Sequence, residues 1–182
     1  MAYFNTDSTY GSVAKFLHWT VFTLVLIMLL SGYFMGYIPN KAIRWQITNT
    51  HKLLGLLILS LMLFRFIWTT INLKPKLPGD TLWWQRVLER VIHYLIYLAL
   101  ILMPLSGWIM SSAAGKAPIL GSLIIKLPMD LNKPRAHLFL DVHFWLAIVI
   151  IVLISIHIAA ALFHYAIKKD NILQRILPTK SS

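Results

Sequence analysis

Residues 142–167 read VHFWLAIVIIVLISIHIAAALFHYAI, from Val142 to Ile167. No Asp, Glu, Lys or Arg interrupts the run. It exceeds the roughly 20 apolar residues that a helix needs to cross a bilayer. It also carries three histidines, His143, His157 and His164. At about 100° and 1.5 Å per residue, His143 and His157 share a helix face, offset by roughly 40° and about 21 Å apart along the axis. His164 lies seven residues further on, on the same face. Two ligands near opposite sides of a bilayer would stand this way.

Three more runs resemble this one. Phe16–Ile38 is uncharged, Leu53–Ile71 is broken only by Arg65, and Val91–Ala114 is uncharged. None alternates as a barrel strand does, and only helices or closed barrels span a membrane. The chain therefore reads as an all-α membrane protein, a four-transmembrane-helix bundle forming one domain over 1–182, with helices at about 14–38, 51–72, 88–114 and 140–168. The first run is longer than a signal-peptide core of roughly 7–15 residues. Gly32, Tyr33, Phe34, Met35 and Gly36 simply continue it, so it is expected to persist as a helix. The link Pro39–Thr50 is short. Asn72–Arg90 holds Pro75, Pro78 and Gly79, then Trp83 and Trp84 of the interfacial type. Gly115–Asp141 is the longest link, and Pro118, Gly121, Pro128 and Pro134 predict a bent excursion. The chain reads as having no internal repeat.

Composition agrees. Of 182 residues, 58% are hydrophobic and 13% charged, about half the charge content of a soluble domain, roughly 25%. Such hydrophobicity also excludes a disordered chain. There is no Cys, which excludes disulfide scaffolds, thiolate zinc sites, Cys-ligated iron–sulfur clusters and thioether-attached haem. The 17 Lys and Arg outweigh the 6 Asp and Glu, for a net charge of +11. These cations lie at both membrane margins. Lys15, Arg65, Lys74, Lys76, Arg86, Arg90, Lys168, Lys169, Arg175 and Lys180 fall on one side, against Lys41, Arg44, Lys52, Lys116, Lys126, Lys133 and Arg135 on the other. The bias favours N-in and C-in, and with no single basic domain, no nucleic-acid partner is expected.

The seven His carry the chemistry, since an ionisable residue inside a span is a functional hypothesis by default. His18 lies near the start of helix one, His51 opens helix two, His93 helix three and His143 helix four. The interval of fourteen recurs: His18 to Gly32, His51 to Arg65, His93 to Gly107, and His143 to His157. Each helix thus has a His at one level and, on the same face at the other, a Gly, an Arg or a second His. Gly lets a flat ligand approach the backbone, and Gly55, one turn after His51, suits the same role. Arg pairs with carboxylates. Zinc usually takes three or four ligands, often with carboxylates that are scarce here. Imidazoles on facing helices suit bis-His haem, and two levels suggest two haems. Helices two and four start on the same side, so His51 and His143 form the outer pair. His18 needs an inner partner from helix four. Depth alone selects His164; His157 serves if helix four projects past the hydrocarbon.

The chain resembles the bacterial dihaem cytochrome b561 family, related to the cytochrome b subunits of hydrogenases and formate dehydrogenases. The resemblance covers nearly the whole sequence. It is carried by His18-Trp19, by His51 with Gly55 and Arg65, and by His93-Tyr94-Leu95-Ile96-Tyr97 with Pro104 and Gly107. Ser112-Ala113-Ala114-Gly115-Lys116, His143, His157-Ile158-Ala159-Ala160-Ala161-Leu162-Phe163-His164 and Lys169-Asp170-Asn171 also match. It implies two non-covalent b haems, with His18 and His157 on the inner one and His51 and His143 on the outer one. It further implies electron exchange with a quinone in the bacterial inner membrane. One member of the family is a superoxide oxidase, which passes electrons from superoxide outside to ubiquinone, and there the position matching His164 lies near the quinone.

The expected function is electron transfer from superoxide or another periplasmic donor, through two bis-His haems, to ubiquinone; the enzymatic reading is superoxide oxidase. Arg65 is expected at an inner-haem propionate, His164 at the quinone head group, and His93 at a propionate or the quinone pocket. His137 reads as a surface residue, and Lys116, Lys126, Lys133 and Arg135 as a solvated outer loop. One rival is a haem b relay between a quinone and a separate dehydrogenase or hydrogenase. Another is a His-based metal transporter, which lacks intramembrane carboxylates to support it.

Overall fold

The computed structural model describes residues 2–76 and 82–178. Pro78, Gly79 and Lys180 lie outside them. The elements in order are α1 (Ser12–Phe34), a 3₁₀ turn (Met35–Tyr37), α2 (Lys41–Ile71), α3 (Trp83–Ala113), β1 (Ile119–Leu120), β2 (Leu123–Ile124), α4 (Lys133–Phe163), a π-helical turn (His164–Lys168) and α5 (Ile172–Ile176). Four of the helices are long and apolar enough to cross a membrane. The four-helix membrane architecture is therefore as expected.

Three helices are longer than their apolar runs. α2, α3 and α4 each have 31 residues, about 46 Å of helix against a hydrocarbon core of about 30 Å. The residues Lys41–Thr50, expected as a link, form the first turns of α2. Asn40 starts that helix, its side-chain oxygen accepting the N–H groups of Ala42 at 3.0 Å and Ile43 at 3.1 Å. Asn132 does the same for α4 by accepting from Arg135 N–H at 2.8 Å, with Pro134 in the first turn.

Close backbone packing runs α1 on α2, α2 on α3, and α3 on α4. α1 and α2 face α4 across a wider seam, into which histidine rings project. The buried core is Val21, Val25, Ile58, Met62, Ala99, Leu100, Ile150 and Leu153. On every helix these residues fall between the two histidine levels, so the core is an apolar layer at mid-depth. The outer surface carries large exposed apolar side chains, among them Leu30, Phe34, Ile67, Trp145 and Leu162. That is the surface a lipid-facing bundle presents.

The long link between α3 and α4 does turn back on itself. β1 and β2 pair antiparallel with Ile119 opposite Ile124, around Gly121 at φ +60°. Asn49 of α2 clamps this hairpin, donating to Ile119 O at 2.8 Å and accepting from Ile119 N–H at 2.9 Å. Trp108 Nε1 donates to Ile125 O at 2.9 Å, and Leu127 N–H donates to Ser112 Oγ at 3.1 Å.

Candidate functional site

The histidines converge as two pairs. His51 of α2 and His143 of α4 have ring centroids 6.5 Å apart, inclined at 67°. His18 of α1 and His157 of α4 have centroids 6.3 Å apart, inclined at 56°. Metal–imidazole bonds are about 2 Å long, so two imidazoles on opposite sides of one metal have centroids roughly 6 Å apart. Both pairs fit that spacing. Among the described residues no three His, Asp or Glu side chains gather as a metal cage, so the donor sets are pairs.

The outer pair is held by neighbours that leave Nε2 free. His51 Nδ1 lies 2.8 Å from Ser31 Oγ. That hydroxyl already donates to Met28 O at 3.1 Å, so it accepts from His51. His143 Nδ1 lies 3.0 Å from Ser106 Oγ and 3.1 Å from Met103 O. A carbonyl can only accept, and Ser106 itself donates to Met103 O at 2.7 Å. Both rings therefore carry their proton on Nδ1 and present the Nε2 lone pair, the arrangement that orients a metal-binding imidazole. Gly32 and Gly107 make room for these rings. A Cβ on Gly32 would lie 3.3 Å from His51 Cε1, and one on Gly107 3.1 Å from His143 Cε1. A Cβ on Gly55 would meet Met28 and Pro104 side chains, at 3.6 and 4.0 Å.

The serines were missed from sequence, although a signal existed. Ser31-Gly32 on α1 and Ser106-Gly107 on α3 are the same dipeptide, fourteen residues beyond His18 and His93 when counted to the glycine. The hairpins α1–α2 and α3–α4 thus correspond at the outer level, although no repeat is apparent in the sequence as a whole.

The inner pair has different neighbours. Arg65 Nη2 donates to His18 Nδ1 at 3.1 Å, and its Nε donates to Tyr97 OH at 3.0 Å. Thr69 Oγ1 donates to Arg65 O, and Tyr97 OH lies 3.2 Å from that hydroxyl. Arg65 is thus placed directly against a ring of the pair. His93 also packs against His157, with centroids 5.0 Å apart and rings at 83°. That separation is too short for two imidazoles across one metal, so His157 is spaced for His18 and not for His93. His93 Nδ1 is turned to Glu89 O at 2.7 Å, with Glu89 Oε1 at 3.5 Å.

His164 does not join the pair. It opens the π-helical turn, and its Nδ1 lies 2.5 Å from Asp170 Oδ2, both side chains being less than a fifth exposed. Lys169, at φ +53°, reverses the chain to bring Asp170 back. Burial pulls the Asp170 carboxyl upward. The hydrogen bonds from His164 and from Ile172 N–H, with the charges of His164 and Lys168, outweigh that and hold it below its usual 3.8. Beyond this turn α5 folds under the bundle. Trp19 Nε1 donates to Ile176 O at 2.9 Å and Thr9 Oγ1 to Arg175 O at 3.1 Å. Nearby, burial first and Glu89 second raise the Tyr10 hydroxyl above its ordinary range. His137 sits in the first turns of α4 rather than in a loop, on a helix that begins at Lys133. At the outer margin Lys52 Nζ donates to Lys116 O at 2.6 Å.

Comparison with known proteins identifies this arrangement. A family model described as prokaryotic cytochrome b561 matches residues 9–179. Cytochrome b561 homolog 2 of Escherichia coli (strain K12) is 30% identical over 191 residues, covering 100% of this chain and 98% of its own. Cytochrome b561 homolog 1 of the same organism is 26% identical, with 91% and 94% covered. A Yersinia pestis protein named "Probable superoxide oxidase CybB" is 31% identical, with 90% and 93% covered. Four spanning helices, imidazole pairs spaced for a b-type haem and a match over nearly its whole length place this chain in the prokaryotic cytochrome b561 family, electron-transfer proteins that pass several times through the bacterial inner membrane.

Proposed function

We propose that the chain binds two b haems, one between His51 and His143 and one between His18 and His157, and moves electrons from superoxide or another outer donor to ubiquinone. The single observation that carries this reading is the spacing of the two pairs, 6.5 and 6.3 Å between centroids. They stand fourteen residues apart on α4, about 21 Å. The named Yersinia relative supports superoxide as the donor.

Bound haem supplies a one-electron couple at each level. The protein's own groups do the rest. Ser31, Ser106 and Met103 accept from Nδ1 of the outer rings and so leave Nε2 as the free donor atom. The apolar layer around Val25, Met62 and Leu153 excludes water between the levels. At the inner margin His164 and Asp170 hold a proton between Nδ1 and Oδ2, next to where a quinone head group would be reduced. The chemistry balances. Two superoxide anions each lose one electron and leave as dioxygen, while one quinone gains both electrons and two protons and leaves as quinol.

The purified protein is expected to show two reduced b-type haems per chain by optical spectroscopy. Stopped-flow mixing with superoxide and a water-soluble ubiquinone should reduce the quinone faster than background. Two haems with no rate above background would remove superoxide as the donor and leave the haem assignment intact.

A further inference from the structure

We propose that the start of α1 is a binding site for an anionic phospholipid of the inner leaflet. Its phosphate would meet the first turn of the helix, and an acyl chain would fill the adjoining cleft. The proposal rests on the fold and does not depend on the haem assignment.

The first four N–H groups of a helix have no partner within it. In α1, Gly11 N–H donates to Asn5 Oδ1 at 2.9 Å and Ser12 N–H to Ala2 O at 3.0 Å. No side chain caps the helix, and among the described residues the N–H groups of Val13 and Ala14 meet no acceptor. The first turn holds no acidic residue, so the positive end of the helix dipole is left uncompensated. Lys15 adds a full charge. It is only 9% exposed, a burial that lysine rarely shows unless paired. Yet among the described residues its ammonium has no acceptor or carboxylate partner. Helical side chains lean towards the N-terminus, so Lys15 lies over the same turn. Its stem is enclosed but its Nζ is not, so the charge stays within reach of the headgroups. Free N–H groups beside an unpaired cation suit a phosphate.

An apolar cleft opens at the same turn. Tyr3, Val13, Phe16, Leu17, Leu61 and Phe64 line it, together with Ser12, and its volume is about 410 Å³, within the range of ligand sites. Leu61 and Phe64 stand about three and two turns inside the end of α2 at Ile71, which is acyl-chain depth. The Tyr3 wall is held in place. Asn5, 8% exposed, donates through Nδ2 to Leu73 O at 2.7 Å. Gly11 packs so closely that a Cβ there would lie 2.3 Å from Tyr3 O. Asp7, on the same segment, is exposed and turned to Lys76 at 4.0 Å, so it does not neutralise Lys15. Cationic at the margin and apolar at depth, the site matches an anionic phospholipid.

The test uses the purified full-length protein, delipidated in detergent and titrated with phosphatidylglycerol or phosphatidylcholine. Native mass spectrometry counts bound lipid, and absorbance gives haem on the same samples. Wild type should hold one phosphatidylglycerol per chain in preference to phosphatidylcholine. K15Q should weaken that binding about fivefold with haem content unchanged, and K15R should restore it. K74Q, at an exposed lysine of the same margin, should change nothing. L61W, which fills the cleft, should weaken both lipids alike. Equal binding of the two lipids by wild type overturns the proposal. So do equal losses in K15Q and K74Q, since diffuse surface charge would then hold the lipid. Haem lost from K15Q with lipid binding intact overturns it as well and assigns Lys15 to the cofactor. Haem-free wild type that still prefers phosphatidylglycerol contradicts the haem reading and supports the lipid site.

Discussion

The outer and inner histidine pairs have nearly the same span, yet they are built differently. The outer pair is a product of local correspondence. Each ring comes from the second helix of a hairpin, and each is seated on a Ser-Gly step of the first. The inner pair breaks that correspondence. On α2 the place that His157 holds on α4 is taken by Arg65, and on α1 and α3 the matching residues are His18 and His93. Two paired imidazoles, a cation and a third imidazole therefore crowd the inner level, where the outer level has two paired imidazoles and neutral oxygens. The difference gives two imidazole pairs of nearly equal span unlike surroundings within one bundle.

The largest expected effect separates the levels outright. His51→Ala and His143→Ala should each lose the same haem, and the double variant should lose no more than either alone; haem content and the low-temperature spectrum check this. If the two single variants lost different haems, the outer pair would not be a pair.

Substitutions at the glycines should sharpen the contrast along α2 and α3. Gly107→Val would drive side-chain carbon into His143, since even a Cβ would lie 3.1 Å from its ring. It should disturb the outer haem and spare the inner one. Gly55→Ala meets nothing closer than 3.6 Å and removes a helical glycine. It should stabilise the protein by up to about 1 kcal/mol, with both haems retained in thermal denaturation.

The outer level also depends on its hairpin. Asn49→Ala removes both hydrogen bonds to Ile119 and should cost about 1–3 kcal/mol, read as a lower melting temperature with faster proteolysis between Gly115 and Lys133. At the inner margin the effect is smaller. Asp170→Asn should destabilise the C-terminal turn by about 1 kcal/mol at neutral pH. The folded Asp170 carboxyl lies below its ordinary value, so its contribution is complete above that value, 3.8. It fades as pH falls through the lower folded one. The wild-type advantage over the variant should therefore persist from neutral pH to about 5 and shrink below 4, by hydrogen exchange of residues near Ile172.

Much of this was legible in the sequence. The uncharged runs announced four helices, and the interval of fourteen announced two levels. The first turns of α2 were not legible as helix, because Lys41, Arg44, Gln46 and Asn49 interrupt the apolar pattern there. Only the Asn40 cap marks the start. The seats of the outer rings were also missed. Ser31 and Ser106 look like ordinary small residues inside a span, and their role depends on a ring from another helix. The partner of His18 was ambiguous because depth along α4 favours His164. The structure resolves the geometry through length. α4 continues through Phe163 before the π-turn, so His157 stands level with His18, and His164 turns away to Asp170.

The most direct measurement is haem content of His157→Ala beside His164→Ala, each purified as the full chain. The ligand pairing predicts one haem in the first variant and two in the second, whose quinone reduction is slowed. Two haems in His157→Ala with one in His164→Ala would contradict it.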